Sequence, residues 1–296
     1  MLAPDPASTA RSWLFAPGDS DHKMEKARAS AADIVVIDLE DAVSEAEKPA
    51  ARERVAAFLN AHAEDRARLW VRINPIQSAH ALHDLARVIP SAPGGIMLPK
   101  PRGRADVELT GHYLSALEAS AGLPIGSTRI IIVSTETPEG MFETNSYAGL
   151  PRLAAMTWGA EDIATAIGAI SNRDAQGRYE FPYQLARTFC LMGAAVAGVP
   201  AIETIHGAFR DAEGLGALAA EVRRAGFRGM LAIHPVQVDA INRAFSPTEQ
   251  EIARAREIVD LFAANPGLGT IGHEGEMLDR PHLARAEAIL ARVTPA

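Results

Sequence analysis

Cysteine is nearly absent: Cys190 is the single example in 296 residues. An intrachain disulfide framework is therefore excluded, and one free thiol fits a reducing cytoplasm. Cys190 lies in the apolar helical run LARTFCLMGAAVAGV and reads as core. Positive charge is also in deficit, with Lys+Arg 29 against Asp+Glu 37 and a net charge of −8. That balance argues against a nucleic-acid surface or an anionic membrane partner, but leaves room for a local basic pocket. No uncharged apolar run reaches the roughly 18 residues of a transmembrane helix. The first residues, MLAPDPASTARSW, lack a charged n-region followed by an apolar h-region, so they read as a short flexible lead-in rather than a signal peptide. No GxGxxG follows the first strand, which weakens a dinucleotide-binding reading. No His/Cys cluster has zinc spacing.

What the chain does have is 48% apolar residues arranged in a regular alternation. Short β-branched-rich runs predict strands at 12–17, 33–40, 69–74, 94–100, 129–136, 153–159, 200–207 and 229–235. Helical patterns fill the gaps, as at 20–31, 46–62, 183–198 and 214–226. The strands are apolar throughout rather than alternating, as in a parallel sheet covered on both faces. Alternating strands and helices of this number predict an α/β fold, a TIM (β/α)8 barrel over residues 1–245; a doubly wound sheet is the runner-up. Residues 246–296 form a C-terminal helical extension that a barrel does not need, expected to serve as a lid or a subunit-contact arm. Ser246-Pro247-Thr248-Glu249 predicts a capping box with Pro at the first helical position. A Gly-rich segment and a last helix, RPHLARAEAILARV, complete the chain.

Function in a TIM barrel collects at the C-terminal strand ends. In this chain those ends carry Asp38, Glu40 and Asp41; Arg72 and Asn74; Lys100; Glu136; Glu161 and Asp162; Glu203 and His206; and His234. Glu136 and Asp162 follow consecutive strands. Two carboxylates that close repel, and one takes up a proton unless a cation sits between them. Hard oxygen ligands suit Mg²⁺, and Glu161 competes with Asp162 for the second position. The plain alternative is that each acid caps a helix or pairs with a neighbour. Arg72, in VRIN, offers a planar fork for a substrate carboxylate or an oxyanion, or else a structural pair with the DLED acids. Lys100, in LPKP, raises a Schiff-base chemistry against a surface or phosphate-contacting lysine. His234 is a candidate base or a satisfied structural histidine.

Taken in order, RSWLFAPGD, IDLEDAV, VRINP, LPKP, STETPEG, WGAEDIA and AIHPVQV resemble the citrate lyase β-subunit-like members of the HpcH/HpaI aldolase superfamily. The resemblance implies TIM-barrel subunits that use Mg²⁺ and act on acyl-CoA thioesters. It further implies that Glu136 and Asp162 hold the metal and that Arg72 binds the substrate. The tail, GEMLDRPHLARAEAIL, resembles malyl-CoA and citramalyl-CoA lyases, in which the Asp matching Asp279 reaches a neighbouring subunit's site as acid/base. The same resemblance implies coenzyme A contacts near Phe15, Pro17, Lys23, His234 and Pro235. It also implies a cytoplasmic homo-oligomer, trimer or hexamer. The chain departs from many relatives in having Pro138 where they carry a small residue.

The reaction implied is a reversible Claisen-type cleavage of a 3-hydroxyacyl-CoA into an acyl-CoA and a 2-oxo acid. Rivals are a CoA-thioester hydrolase, a citryl lyase of the citrate lyase β-subunit type, a Schiff-base aldolase through Lys100, and a non-catalytic subunit that binds a CoA metabolite.

Overall fold

A computed structural model describes residues 6–293. The chain divides into two compact units, residues 1–244 and 245–296.

In the first unit eight parallel strands close into a barrel, each hydrogen-bonded to its neighbours in chain order. The chain thus has the TIM-barrel fold. The strands are β1 Ser12–Pro17, β2 Ile34–Asp38, β3 Leu69–Arg72, β4 Gly95–Leu98, β5 Arg129–Val133, β6 Leu153–Thr157, β7 Ala201–Glu203 and β8 Gly229–Ala232. β1 has the expected bounds, and the later strands stop short of theirs. Pairing in β2 and β3 runs as far as Asp38 and Arg72, while Lys100, Glu136 and Asp162 follow in the turns and helix start beyond the ladder. Helices flank the barrel with ordinary end chemistry. Ser20 caps Asp21–Arg28 by accepting from the Lys23 N–H, and Gly198 ends Phe181–Ala197 in the left-handed region at φ 71°.

Trp13, Ile34, Val36, Trp70, Met97, Ile131 and Val133 belong to one buried cluster. Trp13 and Trp70 meet edge to face with centroids 5.2 Å apart. Gly95 pairs in register with Trp70, and a Cβ there would lie 2.4 Å from the indole, so glycine makes room for the ring. Ala7 and Ala10 join the same cluster. The expected flexible lead-in is therefore corrected: residues 1–5 lie outside the described residues, but Pro6–Thr9 is a short helix whose Ala7 is buried. Cys190 is buried as expected. Among the described residues no helix is long and apolar enough to cross a membrane.

The second unit packs helix Glu249–Ala264 and helix Arg280–Leu290 with a hairpin, β9 Thr270–His273 antiparallel to β10 Glu276–Asp279. Phe262, Ile271 and Leu278 form its core. The cap of the long helix lies two residues later than expected. Thr248 accepts from the Glu251 N–H at 3.2 Å, and Glu251 accepts from the Thr248 N–H at 2.7 Å. Pro247 therefore precedes the helix instead of opening it.

Candidate active site at the barrel mouth

Side chains alternate along a strand, so Phe15, Asp38 and Arg72 share the parity of the buried Trp13, Val36 and Trp70. They form the uppermost layer of the barrel. Asp38 and Arg72 are register partners across β2 and β3. Arg72 Nε donates to Asp38 Oδ1 at 2.7 Å and Nη2 to Oδ2 at 2.6 Å, a two-pronged fork. Arg72 Nη1 also stands 3.0 Å from Glu40 Oε2 as an ion pair. The guanidinium lies 4.8 Å over the Phe15 ring. Burial pushes the Asp38 carboxyl up, but Arg72 outweighs it and holds the group below the usual carboxylate range.

The Asp38–Glu40 turn is braced from behind, by a network the sequence did not reveal. Lys48, in helix Lys48–Ala61, is buried. Its ammonium donates to the carbonyls of Leu39 and Glu40 at 3.0 and 2.8 Å and to Asn74 Oδ1 at 2.7 Å. Asn74 in turn donates to Asp84, which accepts from Arg52. Asn74 is thus structural. Only tertiary packing brings Lys48 to the turn, and a lysine in a helix gives no local signal of it.

Lys100 is neither a surface lysine nor a free amine. Its Nζ lies 2.5 Å from Glu40 Oε1 and 3.2 Å from Asp162 Oδ1. Burial pulls its pKa down, but Glu40 and Glu136 outweigh that and raise it. A Schiff-base lysine needs the opposite shift.

Glu136 is 5% exposed. Its Oε2 accepts the Lys100 N–H at 2.9 Å. Burial, with Glu40 and then Asp162 nearby, pushes its carboxyl up to about 8. Asp162 lies in the first turn of helix Ala160–Ala166 rather than at a strand end. Its charge still acts on Glu136 through space. Glu161 lines the same cavity, and its Oε1 accepts from Asn172 Nδ2 at 2.8 Å. The donor set of Glu136 and Asp162 is oxygen-only, anionic and short of positive charge, which fits a hard divalent cation.

Gly159 lies against Glu136: a Cβ there would stand 2.8 Å from Oε1 and 2.9 Å from Cγ. The buried carboxylate has nowhere to retreat. Gly159→Ala is expected to cut kcat/KM at least about tenfold with a normal thermal melt, the scale of loss that small misplacements of side chains cause in enzyme sites. Unchanged kinetics would show that Glu136 has freedom this packing denies it.

Arg72, Glu136 and Asp162 line one cavity of about 430 Å³, together with Phe15, Pro17 and Trp158. Trp158 is fixed by donating its indole N–H to the buried Glu203 at 2.8 Å, and Glu203 also pairs with Arg187. Lys23, His234 and Pro235 do not line this cavity. Lys23 is exposed on its helix. His234 caps the turn at Pro235–Gln237 and stacks on Phe209 with centroids 4.8 Å apart. In the second unit Asp279 is the N-cap of helix Arg280–Leu290, with its carboxylate 2.5 Å from His282 Nδ1. That hydrogen bond holds Asp279 below the usual carboxylate range.

Residues 11–235 match the family model described as HpcH/HpaI aldolase/citrate lyase. The chain belongs to this family. Members similar to it include a citrate lyase subunit beta-like protein of Mycobacterium tuberculosis, 34% identical over 95% of this chain and 94% of that protein. A (3S)-malyl-CoA thioesterase of Cereibacter sphaeroides is 32% identical over 95% of this chain and 94% of that one. The crystal structure of the M. tuberculosis protein CitE in complex with magnesium, acetoacetate and coenzyme A superposes with a TM-score of 0.79. It is 33% identical and covers 97% of this chain and 98% of its own. The family is enzymatic, and its members' names point to lyase or other CoA-related chemistry.

Proposed function

We propose that this protein is a Mg²⁺-dependent carbon–carbon lyase. It reversibly cleaves a 3-hydroxyacyl-CoA of the malyl-CoA or citramalyl-CoA type into an acyl-CoA and a 2-oxo acid. The observation that carries this reading is the buried, cation-poor pair Glu136 and Asp162 facing the same cavity as the fixed guanidinium of Arg72. The magnesium, acetoacetate and coenzyme A bound by the related CitE support it.

Glu136 and Asp162 would hold the ion, which supplies Lewis acidity to the oxygens of a 2-oxo acid when bound. Arg72 supplies a fixed positive charge where oxygen charge develops, and Asp38 keeps it from swinging. Asp279, delivered by a second copy of the chain, starts ionised because His282 favours that form. It accepts the proton of the 3-hydroxyl as the bond breaks, then returns it to the enolate carbon of the departing acyl-CoA. Phe15 and Trp158 restrict water at the cavity. The same reading makes the enzyme a cytoplasmic homo-oligomer, trimer or hexamer.

Thioester hydrolysis is the second reading, favoured by the malyl-CoA thioesterase names among relatives. A panel of malyl-, methylmalyl- and citramalyl-CoA, assayed with Mg²⁺ and with EDTA, separates the readings. The expected result is Mg²⁺-dependent release of a 2-oxo acid, trapped as its hydrazone, with no free thiol. Thiol release without oxo acid would make the enzyme a hydrolase. Activity that survives EDTA and is trapped by borohydride would restore Lys100 as the nucleophile. No turnover of any thioester would leave a binding subunit.

A further inference from the structure

Lys100 has a backbone that lysine seldom adopts, left-handed at φ 51°, two residues beyond the end of β4. A non-glycine residue in that region is costly and points to a constraint from its surroundings. Here the turn lets one residue serve the site twice. Its N–H reaches Glu136 Oε2, and its ammonium enters the acidic cluster from the same side.

The charges within that cluster do not balance. Asp38 is matched by Arg72, and Glu40 by Arg72 and Lys100. Glu136 and Asp162 are left with only a share of Lys100. With the exposed Asp41 set aside, four acids face Arg72 and Lys100, and the formal excess is that of two carboxylates, the charge of one divalent cation. The ammonium's contacts are also unequal. Glu40 is buried, with a side chain 4% exposed, and lies at 2.5 Å. Asp162 is 33% exposed and lies at 3.2 Å. Asp41 waits on the other flank at 3.8 Å. An ammonium has three donors on a flexible stem, so it can release one acceptor and keep another.

We infer that Lys100 is a resident cation of this site: its ammonium holds Asp162 while no divalent ion is bound, and yields Asp162 to the ion while staying on Glu40. This rests on the metal reading of Glu136 and Asp162. Lys100 is thus a positioning residue that keeps the acids gathered and competes with the metal it makes room for.

The competition gives a result that a structural role would not. In calorimetric titration of Mg²⁺ into substrate-free protein, Lys100→Met is expected to bind the ion about tenfold tighter than wild type, because a repelling charge has gone. Lys100→Arg, which keeps the charge, is expected to stay within about twofold. A merely structural lysine would weaken Mg²⁺ binding in both variants. Crystals of the wild-type protein grown with EDTA and with MgCl₂ supply a measurement that needs no variant. The Nζ–Asp162 distance is expected to open beyond about 4 Å with the ion bound, with the Glu40 contact kept. Equal or weaker binding by a folded Lys100→Met, or an ammonium still on Asp162 beside a bound ion, would overturn the inference alone. Failure of the wild-type chain to bind Mg²⁺ would remove the metal reading and this inference together.

Discussion

Glu136→Gln is expected to cut turnover at least about a thousandfold while making the metal-free protein more stable at alkaline pH. The two effects have one origin. Glu136 is buried beside Glu40 and Asp162, and its carboxyl is pushed from the ordinary value up to about 8. A group whose folded pKa is raised takes up a proton on folding throughout the interval between the two values. Stability of the metal-free protein therefore falls as pH rises from the ordinary glutamate range towards 8. A single such group removes about 1.4 kcal/mol for each pH unit crossed. Glutamine keeps an oxygen for the Lys100 N–H and carries no charge, so the variant should lack that slope. Thermal melts in EDTA between about pH 5 and pH 9, set beside the turnover assay, check both halves. A variant that keeps turnover, or one whose melting profile parallels wild type, would mean that this carboxylate is not the strained anion of the site.

At the opposite end of the barrel, Glu118→Ala is expected to cost roughly 3–5 kcal/mol, lowering the melting temperature by roughly 10 °C. Glu118 is fully buried and receives both prongs of Arg152, at 2.9 and 2.7 Å. It also accepts the N–H groups of Gly126 and Thr128 at 2.7 Å each. Burial pushes this carboxyl up, but Arg152 and the backbone donors outweigh it and hold it at about 2. Its stabilisation is complete above the ordinary glutamate value and is lost as pH falls towards 2. Truncating it leaves the Arg152 guanidinium buried with its partner gone. The double variant Glu118→Ala/Arg152→Met should recover part of the loss, because the stranded charge is gone as well. Thr128 and Arg152 immediately precede β5 and β6, at the strand ends away from Arg72. Activity per folded molecule should then stay within about twofold of wild type. A double variant less stable than Glu118→Ala would show that the arginine contributes packing of its own.

The barrel was legible because its strands are continuous apolar runs, which only a doubly covered parallel sheet explains. Where those runs end was less legible. DIVVIDLE and RIIIVSTE carry no local sign that pairing stops at Asp38 and Val133, because barrel closure decides it. Arg72, Glu136 and Asp162 were findable as polar residues following apolar strands, and the fold brings them to one cavity. Lys48, Glu118 and Arg152 were not, since a charged residue on a helix or before a strand reads as solvated until its partners are known. The hairpin at 270–279 hid inside a Gly-rich stretch, although a signal was present. Glu274-Gly275 takes positive φ at both positions, 49° and 84°, as a two-residue hairpin turn requires. Ile271 and Leu278 face one another across it. His234 follows a strand end, and the hydrogen bond its ring nitrogen accepts from the Val236 N–H could not be read from the motif.

The salt link between Asp38 and Arg72 joins residues that are already opposite one another in the β2–β3 ladder. Its geometry is inherited from main-chain pairing, while the segments after β7 and β8 that frame the rest of the opening are loops. A descendant of this scaffold can therefore exchange those loops without disturbing the guanidinium fixed at the floor of the pocket. Diversification of such proteins should be concentrated in the borders of the pocket, with its floor handed down unchanged.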